Sequence, residues 1–118
     1  MSRSADFYAR ANAVTPGGVH SPVRAFGRVG GTPLFIRSAQ GSRIEDVDDR
    51  WYTDFCMAFG PMILGHTHPA VLEAVTTAAA GGWSFGTAEP YSLALSELIC
   101  GRLAWVENLR FVNSGTEA

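Results

Sequence analysis

Phe7, Ala11 and Val14 recur at helical spacing within residues 4–14, and Pro16-Gly17-Gly18 then closes the run, so the pattern predicts a short leading helix. From Val19 to Thr32 isolated bulky residues stand among Gly, Pro and Ser, the composition of an ordered loop. Between Leu34 and Phe55 the pattern changes. Short apolar groups at Leu34-Phe35-Ile36, Arg43 to Val47 and Trp51 to Phe55 are parted by Gln40-Gly41 and by Asp48-Asp49-Arg50, which predicts a small antiparallel sheet of three strands. Ile44 with Asp46, and Glu45 with Val47, alternate only in part, so the buried face of the middle strand stays open. Pro69 can occupy a helix's first turn, and Val71, Leu72, Val75 and Ala79 follow at near-helical intervals until Gly81-Gly82. Pro90 opens a further helix with Tyr91, Leu95, Leu98, Ile99 and Leu103 on one face. Leu109 to Val112 reads as a short apolar strand of the kind found inside a sheet covered on both faces. Two helices followed by such a strand begin an α/β layer with only one strand, so the second half reads as unfinished.

Composition narrows the class. At 118 residues the chain can build one core at most, and 47% apolar with 17% charged residues is the balance of a soluble globular protein. A formal charge of −2 excludes a generalised nucleic-acid surface. Met1 to Val14 mixes Asp6, Arg10 and Asn12 among apolar residues and is not a secretory signal; no run is long and apolar enough to cross a membrane. Cys56 and Cys100 lie far apart without a Cys-x-x-Cys spacing and read as reduced, buried thiols. All nine basic side chains are arginine, and there is no lysine.

The sequence ends on Phe111-Val112-Asn113-Ser114-Gly115-Thr116-Glu117-Ala118. Ser114, Gly115 and Thr116 can aim backbone N–H groups and two hydroxyls at an anion where a helix would begin, or they can simply cap that helix. The turn alone weighs evenly between the two. Glu117 suits the first helical turn better than a phosphate. His66 and His68, two apart and next to Pro69, have no Cys or carboxylate completing a ligand set, so they read as hydrogen-bonded loop histidines and not as metal ligands. Asp46, Asp48, Asp49 and Asp54 lack the central Gly and distal Glu of a calcium loop and are expected in hairpin turns and on strand faces. Gly27 to Gly31 has neither the preceding strand nor the spacing of a dinucleotide fingerprint.

Four stretches, in order, carry a resemblance: Pro16 to Phe26 with Ser21-Pro22-Val23-Arg24-Ala25-Phe26, Gly30 to Ile36, Gly60 to Pro69 with Gly65-His66-Thr67-His68-Pro69, and Ser114-Gly115-Thr116-Glu117-Ala118. Together they resemble the class-III pyridoxal-phosphate aminotransferases, and among these the glutamate-1-semialdehyde 2,1-aminomutases. Ser-Gly-Thr-Glu-Ala alone is common to the wider family; Ser21 to Phe26 narrows it. The resemblance implies an N-terminal fragment of a fold-type I α/β transferase: a leading helix and small antiparallel sheet in residues 1–58, then the incomplete start of the large cofactor-binding domain in 59–118. It implies that Ser114, Gly115 and Thr116 hold the phosphate of pyridoxal phosphate, that Arg24 grips the substrate carboxylate with Ser21 beside it, and that Phe59 lines the substrate pocket where the family usually has tryptophan. Residues 83–90 would form a loop closing on the cofactor, frequently from the other subunit of a homodimer. The implied activity is conversion of glutamate-1-semialdehyde to 5-aminolevulinate for tetrapyrrole synthesis, in the cytoplasm. Such chemistry requires a lysine, so this chain is expected to be inactive by itself. Two alternatives follow from the residues: a class-III aminotransferase acting on another amino acid or amine, motivated by Phe59 and Thr87-Ala88-Glu89, and a truncated noncatalytic module associating with a full-length partner.

Overall fold

The computed structural model describes residues 2–118 and forms two compact units, the first reaching to Thr77 and the second running from Ala78 to Ala118. In the first, helix α1 spans Arg3–Val14. Its N-terminus is capped twice: the Ser2 side chain accepts from the Ala5 amide, and the Asp48 carboxylate accepts from the amides of Arg3 (2.6 Å) and Ser4 (3.1 Å). A carboxylate there satisfies donors that have no intrahelical partner and faces the positive end of the helix dipole. Arg3 Nη1 also donates to the Val47 carbonyl, and the Phe7 and Phe35 rings meet edge to face at 5.6 Å. The helix is thereby fastened, from both ends of its first two turns, to residues that flank the strands of the sheet.

The sheet is three antiparallel strands in sequence order, β1 (Ile36–Gln40), β2 (Arg43–Asp46) and β3 (Trp51–Thr53). Ile36 pairs with Asp46 and Ser38 with Glu45, leaving Arg37 in a bulge. From that bulge Arg37 reaches both Glu45 (2.7 Å) and Asp49 (2.6 Å). The ladder therefore starts at Ile36, two residues beyond the expected start. Leu34 and Phe35 stay outside it, although the Phe35 carbonyl accepts from the Val47 amide at 2.8 Å.

The open question about the middle strand resolves on Asp46, whose side chain is fully enclosed while Ile44 is half-buried. Its carboxylate accepts from the amides of Asp48 and Arg50, from Arg50 Nε and from the Tyr52 hydroxyl, all at 2.9–3.0 Å. Four donors around one carboxylate meet the requirement that a buried charge be bonded on every side. They also shape the β2–β3 turn, in which Asp49 takes φ 65°.

Beyond β3 the chain returns to the hairpin through Gly65. His66 and Gly41 exchange both backbone hydrogen bonds, at 2.8 and 2.9 Å. A Cβ on Gly65 would stand 2.9 Å from the Gly41 carbonyl oxygen, and its φ is +82°, so both space and conformation require glycine there. Helix α2 follows as Pro69–Ala79, as the Pro and Gly signals predict.

In the second unit, α3 spans Pro90–Arg102 and begins where expected. Glu89 caps it, its carboxylate accepting from the amides of Tyr91 (2.6 Å) and Ser92 (2.9 Å). The expected strand at 109–112 does not form: those residues are irregular. A strand exists only through its ladder, and no partner pairs with this segment among the described residues.

Aliphatic and aromatic side chains are nowhere fully buried among the described residues, Pro33 aside. Val71, Leu72 and Val75 on α2 and Leu95 and Leu98 on α3 are all about half exposed. Pro61, Met62 and Leu64 with the α2 trio line an open apolar recess of about 470 Å³. The thiols differ from expectation too: Cys56 is exposed and Cys100 half-buried, both free, because no core forms around them. No helix among the described residues is long and apolar enough to cross a membrane.

Candidate functional site

Ser21 and Arg24 share one turn of 3-10 helix, Pro22–Ala25, in which the Arg24 amide donates to the Ser21 carbonyl at 3.0 Å. Pro22 presets the turn's φ, and Phe26 ends it in the left-handed region at φ 57°. Arg24 is exposed and, among the described residues, makes no ion pair, in contrast to Arg3, Arg10, Arg37 and Arg50. Its guanidinium is free to grip a carboxylate bidentately, a freedom it shares with Arg28, Arg102 and Arg110.

Phe59 lies in a different turn of the same unit. Met57, Ala58 and Phe59 are consecutive and all left-handed, with φ 46°, 55° and 65°, before Gly60 at 127°. For residues bearing a Cβ this costs about 1–2 kcal/mol each. The ring is 72% exposed. Asp54 sits at the foot of this run: Oδ1 accepts from the amides of Cys56 (2.8 Å) and Met57 (3.1 Å), and Oδ2 accepts from His66 Nε2 at 2.7 Å. The His66 bond, then the Met57 amide, hold the Asp54 carboxyl below its ordinary range; burial works the other way and the Cys56 amide adds to the lowering. In the sequence Asp54 and His66 carry separate expectations, a strand-face residue and a loop histidine. Their pairing across twelve positions had no signal beyond the two glycines, Gly41 and Gly65, that allow the return. His68 differs from expectation: its Nδ1 is enclosed with no partner among the described residues, on a backbone fixed by Thr67 at φ 50° and by Pro69.

In the second unit, Ser114 to Glu117 form a single turn, with the Ser114 carbonyl accepting from the amides of Glu117 and Ala118. Glu117 folds back so that its carboxylate accepts from the Asn113 amide at 2.7 Å, supporting the turn as its charge suggests. Among the described residues the amides of Ser114, Gly115 and Thr116 donate to no acceptor, and both hydroxyls are unengaged and exposed. Three free amides, two hydroxyls and a small-residue opening fit the phosphate of a cofactor such as pyridoxal phosphate. Ser21 and Arg24 are thus brought together, Phe59 stands on its own turn, and the anion turn belongs to the other unit.

The sequence profile of the class-III aminotransferases matches residues 26–118. The chain belongs to the class-III aminotransferase family. It is similar to glutamate-1-semialdehyde 2,1-aminomutase of Leptospira interrogans serogroup Icterohaemorrhagiae serovar Lai (strain 56601), at 56% identity over 115 residues, covering 98% of this chain and 26% of the relative. Similarity to the protein of that name from Anaeromyxobacter dehalogenans (strain 2CP-C) is 53% over 115 residues, covering 98% and 27%. The chain spans about a quarter of the length of the curated relatives it matches. Among solved structures, an omega-transaminase from Sphaerobacter thermophilus superposes with a TM-score of 0.89 at 33% identity, over 99% of this chain and 26% of that one. A glutamate-1-semialdehyde-aminomutase from Pseudomonas aeruginosa PAO1 gives 0.74 at 27% identity, over 86% and 22%. The class-III aminotransferase fold expected from the sequence, that of the fold-type I transaminases, is therefore the fold found over this quarter.

Proposed function

We propose that the chain is part of a pyridoxal-phosphate enzyme that converts glutamate-1-semialdehyde to 5-aminolevulinate. The observation that carries this is the identity of 50–56% across nearly the whole chain to relatives bearing the aminomutase name, in a segment that includes the Ser21–Phe26 turn. In this reading Arg24 binds the substrate carboxylate, and Ser21 and Pro22 fix the direction of its turn. Phe59 supplies an apolar wall that excludes water. Ser114, Gly115 and Thr116 hold the cofactor phosphate through amides and hydroxyls. When bound, the cofactor supplies the electron sink for moving an amino group. The sequence has no lysine, so in this reading the amine that holds the cofactor and moves the proton comes from outside these 118 residues.

The test is the intact protein's formation of 5-aminolevulinate from glutamate-1-semialdehyde with no added amino donor or acceptor. Product under those conditions supports an internal amino shift; product only with an added partner sinks it. Arg24→Ala is expected to raise KM by about 10- to 100-fold, the worth of a charged hydrogen-bonded contact, with a smaller effect for Arg24→Lys. Ser114→Ala is expected to weaken cofactor binding about fivefold in a spectrophotometric titration.

A second reading, a transaminase acting on another amino acid or amine, is favoured by phenylalanine at position 59 and by the higher TM-score of the omega-transaminase. The same assay with amino acceptors supplied separates the two. A cytoplasmic homodimer belongs to the proposal on the strength of the resemblance, and sedimentation of the intact protein tests the dimer.

A further inference from the structure

We infer that Asp54 and His66 are positioning residues for Phe59, holding the left-handed turn that presents its ring. The inference rests on the reading of Phe59 as a wall of the substrate pocket. Three consecutive residues with side chains do not stay left-handed unless their surroundings over-determine them. Within these 118 residues packing of the ring itself does not supply this, since Phe59 is 72% exposed. What holds the run is beneath it. Asp54 Oδ1 takes the amides of Cys56 and Met57, the two donors at the start of the run. The turn then closes through the Phe59 amide to the Cys56 carbonyl (2.8 Å) and the Gly60 amide to the Met57 carbonyl (3.1 Å).

Asp54 is itself fixed to the sheet. Its amide donates to the Ser42 carbonyl at 2.8 Å, and Oδ2 is held by His66, whose backbone is doubly bonded to Gly41. The side chains of Asp54 and His66 are 9% and 17% exposed, so the bond between them is shielded from competing water. A rigid, shielded anchor below and an exposed, strained ring above is an arrangement that orients a contact surface. The β1–β2 turn at Gly41-Ser42 thereby sets the direction of a residue seventeen positions beyond Ser42 in sequence.

The experiment uses the intact, cofactor-loaded protein, with kcat and KM measured separately and cofactor absorbance checking that the holoenzyme forms. Phe59→Ala comes first. If it leaves KM unchanged, the pocket reading fails. If it raises KM, Asp54→Ala is expected to raise KM about tenfold with cofactor occupancy intact, and to add nothing in the Phe59→Ala background. Asp54→Asn keeps an oxygen for both amides and is expected to return KM to within about twofold. A full additive effect of Asp54→Ala in the Phe59→Ala background, or an unchanged KM in loaded Asp54→Ala enzyme, overturns the positioning role while leaving the pocket reading standing. Should Asp54→Ala fail to accumulate, His66→Ala, which removes the clamp but keeps the amide bonds, is judged by the same non-additivity.

Discussion

Asp46 shows how much one side chain can organise. Burial pushes its carboxyl up, but the Arg50 amide, the Tyr52 hydroxyl, the Asp48 amide and the Arg50 guanidinium together outweigh that and leave it below its ordinary value of 3.8. A carboxylate lowered on folding contributes stability that is fully present above the unfolded value and lost as pH falls through the folded one. The β2–β3 hairpin is therefore expected to loosen below about pH 4, followed by the fluorescence of Trp51 on β3. Asp46→Asn should lose stability near neutrality and flatten that acid dependence; an unchanged acid profile would show that the carboxylate is not what holds the turn. The sequence offered four nearby aspartates and only partial alternation, so the enclosed one could not be singled out. Burial of a charge depends on donors arriving from Arg50 and Tyr52, which no period reveals. Arg24 stands out in the sequence only through the resemblance carried by Ser21 to Phe26; an arginine in a loop has no periodicity of its own, and the local 3-10 turn at Pro22–Ala25 comes from the structure.

Elements were most legible where their signals are local. α2 and α3 start on the expected prolines, and α1 and α2 stop just before the expected Pro16-Gly17-Gly18 and Gly81-Gly82, whereas α3 ends at Arg102 with no Pro or Gly after it to mark the stop. Strand limits were less so, because the bulge at Arg37 depends on ion pairs to Glu45 and Asp49. The segment 109–112 has strand composition and no ladder, since composition supplies propensity and pairing supplies the strand. Asp48, from another element, caps α1, and only the structure exposes that dependence. Asp48→Ala should speed amide exchange in the first turn of α1 by roughly tenfold while leaving α3 unchanged. Glu89→Ala should do the reverse, fraying the start of α3 alone. Exchange that is uniform across both helices in either variant would contradict the capping roles.

At the scale of the whole chain, the missing apolar core matters most. Ile63 and Leu64, Val71, Leu72 and Val75 on α2, and Leu93, Leu95 and Leu98 on α3 stay near half exposure or above, more than isolated surface positions account for. The isolated 118-residue polypeptide is thus expected to bind a hydrophobic dye and to unfold broadly with heat. A sharp, dye-silent transition from a compact monomer would contradict this.

The fastening of α1 by Asp48, Val47 and the Phe7–Phe35 contact reaches past the loop between them. A protease that nicks the glycine-rich stretch around Gly27 to Gly31 would sever the backbone without freeing the first helix, because that helix is moored to the hairpin independently of the covalent connection. Limited digestion should yield two bands on a denaturing gel that travel as one species through a native column.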